Sequence, residues 1–413
     1  MQLSKATLAL TLALLGHAAV AGAEAEPMPP PAKTAANCRN TGRFETWLDR
    51  FRSEAAAQGI SRATIADALD GVTLDPKVIG IDRKQSFFSQ SFLTFSGKLI
   101  SKGRIQNGLA RLKKHRDLFA SVEKDYGVPG PVIAALWALE SDYGSFMGKM
   151  SILRSLATLA YDCRRGEKFS AELMDTLRII DRGDLRPQEM IGAWAGELGQ
   201  TQFLASHYVK YAVDYDGDGR RNLIASVPDV IASTANFLKH LGWRRGEPWL
   251  QEVQVPANLA WDQADLAIKH PRSKWAEWGV RQADGRPLPA DGLQAALLLP
   301  MGRHGPAFLA FPNFDVYLQW NSSLIYCITV SYLGTRLDGA PPLHRGSGDI
   351  PELKYAEIKE LQQLLARRGY EVGEIDGKLG AASRAAVKAV QQKLGLPADS
   401  WPTPELLDRL RAG

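Results

Sequence analysis

The chain has 413 residues, 45% of them apolar, with 50 Lys and Arg against 45 Asp and Glu. That is enough for two or three packed domains with an ordinary globular core. The net charge of +5 is mild and spread out, and no dense Lys/Arg run is interleaved with aromatics, so a nucleic-acid partner finds little support.

Lys5 precedes a small, apolar run at residues 6–21, and Ala21-Gly22-Ala23 then offers a small-x-small cleavage site. Residues 1–23 read as a secretory signal peptide, too short to remain as an anchor. No cysteine ends the run and no other segment is long and apolar enough to span a bilayer. No membrane anchor is expected, and the mature protein should be exported, to the periplasm. Residues 24–40, rich in Pro and Ala, read as a flexible lead. Phe44, Trp47, Leu48 and Phe51 recur at helical spacing up to Gly59, and Ser61 is the expected N-cap of a second helix. Residues 84–126 carry more helix, with a basic face that reads as a solvated surface.

Residues 132–144, Val-Ile-Ala-Ala-Leu-Trp-Ala-Leu-Glu-Ser-Asp-Tyr-Gly, predict a buried helix that starts at Pro129 and Pro131 and stops at Gly144. Helical spacing places Leu136, Glu140 and Tyr143 on one face and turns Asp142 away. A lone Glu in apolar company is costly to ionise, so Glu140 is expected to have a raised pKa and to be a general acid poised near neutral pH. The alternative is a Glu at a fraying helix end that meets solvent.

Helices follow at residues 151–160 and 171–180. In the stretch 191–203, Gly192, Gly196 and Gly199 permit close backbone approach, and Gln200, Thr201 and Gln202 are polar among apolar neighbours. It reads either as a tight turn between helices or as a cleft wall that hydrogen-bonds a polar ligand such as a sugar. Asp214, Asp216 and Asp218 then stand at positions one, three and five of a calcium-type loop. Gly219 is at six, the Arg220 carbonyl at seven and Asn222 at nine. Position twelve is Ala225 rather than Glu; Asp229, four residues on, closes the site if the loop is longer. A plain surface turn is the alternative.

Residues 227–243 are helical. Beyond Arg244, the segments 252–256, 295–299 and 308–311 read as small strands or irregular pieces inserted in a helical protein. Trp320 and Tyr326 flank Asn321, flat faces beside an amide, which suits sugar stacking or a core. Residues 339–351 read as a Pro/Gly/Ser-rich linker between a region at 41–338 and a small three-helix domain at 352–413. With three cysteines in an oxidising compartment, one disulfide and one free thiol is the simplest arithmetic. Cys327, in the strand-like run 326–330, reads as core, which leaves Cys38 with Cys163.

Taken together, Glu140-Ser-Asp-Tyr-Gly144, Gly196-Glu-Leu-Gly-Gln-Thr-Gln-Phe203, the Asp214 loop and Trp320-Asn321 resemble, in that order, the membrane-bound lytic murein transglycosylase B family, glycoside hydrolase family 103. The likeness covers roughly residues 44–338. Residues 369–380 resemble a peptidoglycan-binding domain, with Ser383 and Val390 where that family often has Thr and an aromatic. The resemblance implies a mainly α, lysozyme-like catalytic core with flanking helical and small β subdomains around a glycan groove. It implies that Glu140 is the sole catalytic acid/base, that Gln202, Asn321 and Tyr326 line the saccharide sites, and that the Asp214 loop binds Ca2+ structurally. Trp320 stands for a Tyr but keeps a stacking face. Ala193 stands where relatives can carry Ser, and Phe237 where Tyr occurs.

The implied partner is the peptidoglycan glycan strand. The implied reaction is non-hydrolytic cleavage of the β-1,4 bond between N-acetylmuramic acid and N-acetylglucosamine, leaving a 1,6-anhydro end, with no catalytic cofactor. A muramidase would pair two carboxylates. Asp142 lies on the wrong side, and Glu197 is the remaining candidate. Hydrolysis on the same scaffold and non-catalytic wall binding are the competing readings.

Overall fold

The computed structural model describes residues 38, 40, 42–83, 90–346 and 348–413. The expected signal peptide and nearly all of the lead lie outside the described residues.

The chain opens with helices α1 (Phe44–Ala57), α2 (Arg62–Leu69) and α3 (Pro76–Arg83). The Ser61 hydroxyl accepts from Thr64 N–H and caps α2 as its position implies. Helices α4 (Phe92–Leu99), α5 (Lys102–Lys114) and α6 (Arg116–Tyr126) follow. At the centre lies α7 (Gly130–Ser141), buried on every side from Val132 to Ala138. A helix apolar all round belongs in an interior, and α5, α6, α11 and α14 (ranges below) pack around it. A two-stranded ribbon of β1 (Met150–Ser151) and β2 (Ile191–Gly192) frames α8 (Ile152–Tyr161) and α9 (Gly166–Asp181). Next come α10 (Ala205–Tyr211) and α11 (Val227–His240), with Ser226 capping the latter through Asp229 N–H.

Five strands then form one antiparallel sheet: β3 (Leu250–Gln254), β4 (Lys269–Pro271), β5 (Arg281–Gln282), β6 (Gln294–Leu298) and β7 (Ala307–Ala310), in the order β4-β6-β7-β3-β5. Helix α12 (Arg272–Glu277) is inserted after β4. Side chains alternate between two cores. Leu297, Leu309 and Val253 face a small cluster around Trp275, while Leu298, Phe308 and Leu250 join the main core. A sheet covered on both faces needs apolar residues throughout, which is why these strands read as continuous apolar runs.

Helices α13 (Pro312–Trp320) and α14 (Leu324–Leu337) return to the helical body. Cys327 is buried and free as expected, but its strand-like run is part of α14: packing against α7 and a Ser323 cap override the β preference of Ile-Thr-Val. Cys38 and Cys163 are both disulfide-bonded. The C-terminal helices α15 (Tyr355–Arg367), α16 (Ala381–Lys393) and α17 (Pro404–Ala412) enclose their own core around Leu361, Val387 and Leu407. Buried Gln362 ties this module together, donating to the Glu374 and Lys378 carbonyls and the Ser383 hydroxyl and accepting from Gly377 N–H. Among the described residues no helix is long and apolar enough to cross a membrane.

Candidate active site

Helix α7 delivers Glu140 at its last turn. The helix ends abruptly because Asp142, Tyr143 and Gly144 all take positive φ, at 50°, 59° and 84°. Gly144 is required twice: by its φ, and because a Cβ there would lie 2.5 Å from Gln200 Oε1. Buried Ser141 fixes the exit. Its hydroxyl donates to the Gln200 carbonyl at 2.5 Å and accepts from Gly144 N–H at 2.8 Å. Trp137 Nε1 donates to Gln200 Oε1, and Gln200 Nε2 to the Ile224 carbonyl. The stretch 191–203 is therefore fastened against the acid's helix as a turn-rich loop rather than a turn between helices, with Leu198 and Phe203 bridged to each other.

Glu140 Oε1 accepts two hydrogen bonds, from Trp320 Nε1 at 2.9 Å and from the Tyr326 hydroxyl. Protein surrounds the carboxyl, though the residue keeps some open surface. Burial pushes its pKa up to about 6; the Tyr326 and Trp320 donors pull it down, and the nearby Glu197 charge pushes it up again. Glu140 is therefore not a solvated helix end.

Trp320 is aimed by an aromatic cluster. Phe203 meets it edge-on at 5.7 Å and Phe237 at 5.2 Å, while Tyr211 and His207 close on Phe237 at 4.6 and 4.5 Å. Burial lowers the His207 pKa to about 4, so the ring is neutral in this cluster at ordinary pH. The spacing 203, 207, 211 was the available sequence signal for this support.

Asn321 ends α13. Its Oδ1 accepts from Ser323 N–H, and among the described residues its amide nitrogen has no partner. Gln202 sits at positive φ beside Phe203, its Nε2 bound to the Gly199 carbonyl. Tyr143 is not brought to the acid. Helical spacing fails for it because the helix stops at Ser141. Its hydroxyl instead donates to the Arg104 carbonyl at 2.9 Å, tight against Gly108 of α5, where a Cβ would lie 2.4 Å from that oxygen. Asp142 pairs with Arg104, away from the acid.

In the acidic loop, carboxylate oxygens of Asp214, Asp216 and Asp229 lie within 4.8 Å of one another. Asp229, buried at the start of α11, accepts from Tyr215 and Asn222 N–H, both at 2.7 Å, and so closes the loop beyond its usual length. Burial first, and Asp216 with it, raises the Asp229 pKa. Asp218 turns to its own loop and accepts from Arg220 N–H, while the Arg220 side chain reaches the Asp184 carbonyl and Glu189. An all-oxygen, carboxylate-rich set of this kind fits a hard divalent cation.

A mainly helical body around one buried yet reachable carboxyl defines a lysozyme-like enzyme. The chain belongs to the transglycosylase SLT domain family, which matches residues 43–335, and residues 354–410 match the peptidoglycan-binding domain family. It is 34% identical over 251 residues to membrane-bound lytic murein transglycosylase B of Escherichia coli K12, covering 59% of this chain and 66% of that relative. SltB3 of Pseudomonas aeruginosa, solved with NAG-anhNAM-pentapeptide, is similar at 43% identity and a TM-score of 0.83, over 90% of this chain and 100% of that one. Lytic transglycosylase Slt35 of Escherichia coli, solved in complex with calcium, is similar at 29% identity and a TM-score of 0.60, over 70% of this chain and 92% of that one.

Proposed function

We propose that this protein is a lytic transglycosylase that cuts the β-1,4 bond between N-acetylmuramic acid and N-acetylglucosamine in peptidoglycan, in cell-wall turnover. The observation that carries the reading is the asymmetric carboxyl of Glu140. Trp320 and Tyr326 both occupy Oε1, which leaves Oε2 to face substrate. Burial raises the pKa of that carboxyl to about 6, so a fraction stays protonated at neutral pH and more of it below, as a general acid requires. Glu140 then passes its proton to the glucosamine O4 as the C1–O4 bond breaks. The resulting carboxylate, held by the two donors, takes the proton of the muramic C6 hydroxyl while O6 bonds to C1. A 1,6-anhydro ring forms, the carboxyl is restored and no water is consumed. One residue serves as acid and then base.

Asn321 and Gln202 offer amides, and Trp320 a ring face, for the flanking sugars. Three further parts belong to the same reading. Residues 352–413 hold the glycan as a module seated on the catalytic region at 41–338, with 339–351 between them. Residues 1–23 direct export to the periplasm. Asp214, Asp216 and Asp229, with Asp218 and the Arg220 carbonyl at the rim, hold a structural Ca2+ that neutralises the loop and takes no part in bond cleavage.

Digestion of purified sacculi in 18O-labelled water tests the reaction. A transglycosylase places no solvent oxygen in its new muramic ends, whereas one label per cut would make the protein a hydrolase.

A further inference from the structure

The net charge is small over the whole chain, but from Lys98 to Arg116 it is one-sided. Lys98, Lys102, Arg104, Arg111, Lys113, Lys114 and Arg116 stand there with no Asp or Glu among them. Two of these cations serve the interior: Arg104 pairs with Asp142, and Arg111 lies over the Trp137 and Tyr143 rings. The others are exposed. Lys98 donates to a neutral partner, Gln90, while the Lys102, Lys113, Lys114 and Arg116 side chains have no partner among the described residues. Helical spacing sets Lys102, Gln106 and Lys113 along one ridge of α5, the two lysines about 16 Å apart along the axis. The cationic field is felt within the fold as well: burial first, and then the Lys114 and Arg111 charges, hold His115 below its usual pKa. This helix is tied to the acid. It packs on α7, and its Arg104 carbonyl accepts from the Tyr143 hydroxyl, three residues beyond Glu140.

Resting on the transglycosylase reading, we propose that the polar face of α5, flanked in the chain by Lys98 and Arg116, is a docking surface for the peptide carboxylates of peptidoglycan, a second hold on the polymer besides the C-terminal module. Like charges crowded without counter-charges repel one another, and a polyanion relieves that repulsion. Glycan strands whose muramic residues bear peptides with more carboxylates than amines are such polyanions. A lipid surface fits less well, because the apolar face of α5 is already occupied. Ile105 and Leu112 pack on the main core. Gly108 meets Tyr143 and Leu337 so closely that a Cβ would lie 2.4 Å from the Tyr143 hydroxyl and 2.7 Å from Leu337. Among the large apolar side chains of α5 only Leu109 is exposed. A helix lying in a membrane interface needs a broad free apolar face. What α5 leaves free is hydrated and cationic, which suits a hydrated anionic strand. The surface takes no part in bond cleavage; it raises the local concentration of polymer around the enzyme.

The test is cosedimentation of the full chain with purified sacculi. Glu140→Gln is the background, so that the polymer stays uncut. Into it go Lys102→Glu, Lys113→Glu, Lys114→Glu and Arg116→Glu together. In low salt the charge-reversed protein should bind about tenfold more weakly. The gap should close in about 1 M NaCl, where the screening length is about 3 Å. It should also close on sacculi whose carboxyls have been amidated, since the C-terminal module contributes equally to both proteins. All four positions are exposed, so the melting temperature should not fall; should the reversed protein fail to fold, the same four positions changed to Gln take its place. Equal binding to untreated sacculi in low salt overturns the proposal, as does a loss that persists after amidation. A loss confined to phosphatidylglycerol vesicles would assign the face to lipid instead. Anhydro ends from wild-type digestion check the parent reading separately, because they form or fail to form whatever the binding shows.

Discussion

At the scale of single residues, the molecule holds the Glu140 carboxyl in a costly state. The Glu140 pKa is raised from 4.5 to about 6, so the folded protein binds its proton more tightly than the unfolded chain does. Stability from this group is therefore whole below about pH 4.5 and is lost as pH rises through 6, by about 2 kcal/mol in all. Glu140→Gln should abolish that loss. The variant should be more stable than wild type at pH 8 in urea unfolding while losing roughly a hundred- to ten-thousand-fold in activity. Tyr326→Phe removes a donor that favours the carboxylate. Its alkaline limb should move up by roughly one unit while turnover falls, because the base half of the cycle is weakened. The apolar company of Glu140 is what desolvates it, but in the sequence it left a solvated helix end open, and the family likeness favoured the acid. Tyr143 was misread for an equally physical reason: three consecutive residues at positive φ break the helical spacing that would have aimed it. Trp320 and Tyr326 lie 180 and 186 residues from the acid they touch. The local run marked both as sugar-stacking or core aromatics and the family likeness placed them among saccharide contacts, but neither signal can reveal a contact with the acid across that separation.

At the scale of elements, the junction between α7 and the 191–203 loop sets the geometry. Ser141→Ala should cost about 1–2 kcal/mol, because it strips partners from the Gln200 carbonyl and Gly144 N–H, and should lower activity by letting the acid's turn shift. The acidic loop makes its own prediction. With Asp214, Asp216 and Asp229 so close, Ca2+ should raise the melting temperature by several degrees over chelator, and Asp229→Ala should erase the difference. Equal curves for wild type with and without the ion would contradict a metal site. Asp229 was legible as a candidate only because the loop departs from the usual spacing at Ala225. The helix from Leu324 to Leu337 shows the opposite limit, where burial against α7 converts a β-prone run into helix.

At the scale of the whole molecule, the C-terminal module is seated rather than loosely tethered. Half-buried Arg384 donates to the Leu299 and Pro300 carbonyls, Lys388 pairs with Asp265 at 2.8 Å, and Asp399 accepts from Arg303. The 339–351 segment is fastened too: the Tyr332 hydroxyl accepts from Leu343 N–H, Glu252 accepts from His344 N–H, and Trp401 Nε1 donates to the Pro351 carbonyl. Its Pro/Gly/Ser composition marks the segment but cannot reveal these tertiary contacts. Arg384→Ala should release the module, so that calorimetry resolves two unfolding transitions where wild type shows one. The most direct measurement of the central claim is mass spectrometry of the fragments released from purified sacculi by wild type and by Glu140→Gln. The account predicts 1,6-anhydromuramic ends from wild type and none from the variant; reducing ends from wild type, or undiminished release by the variant, would contradict it.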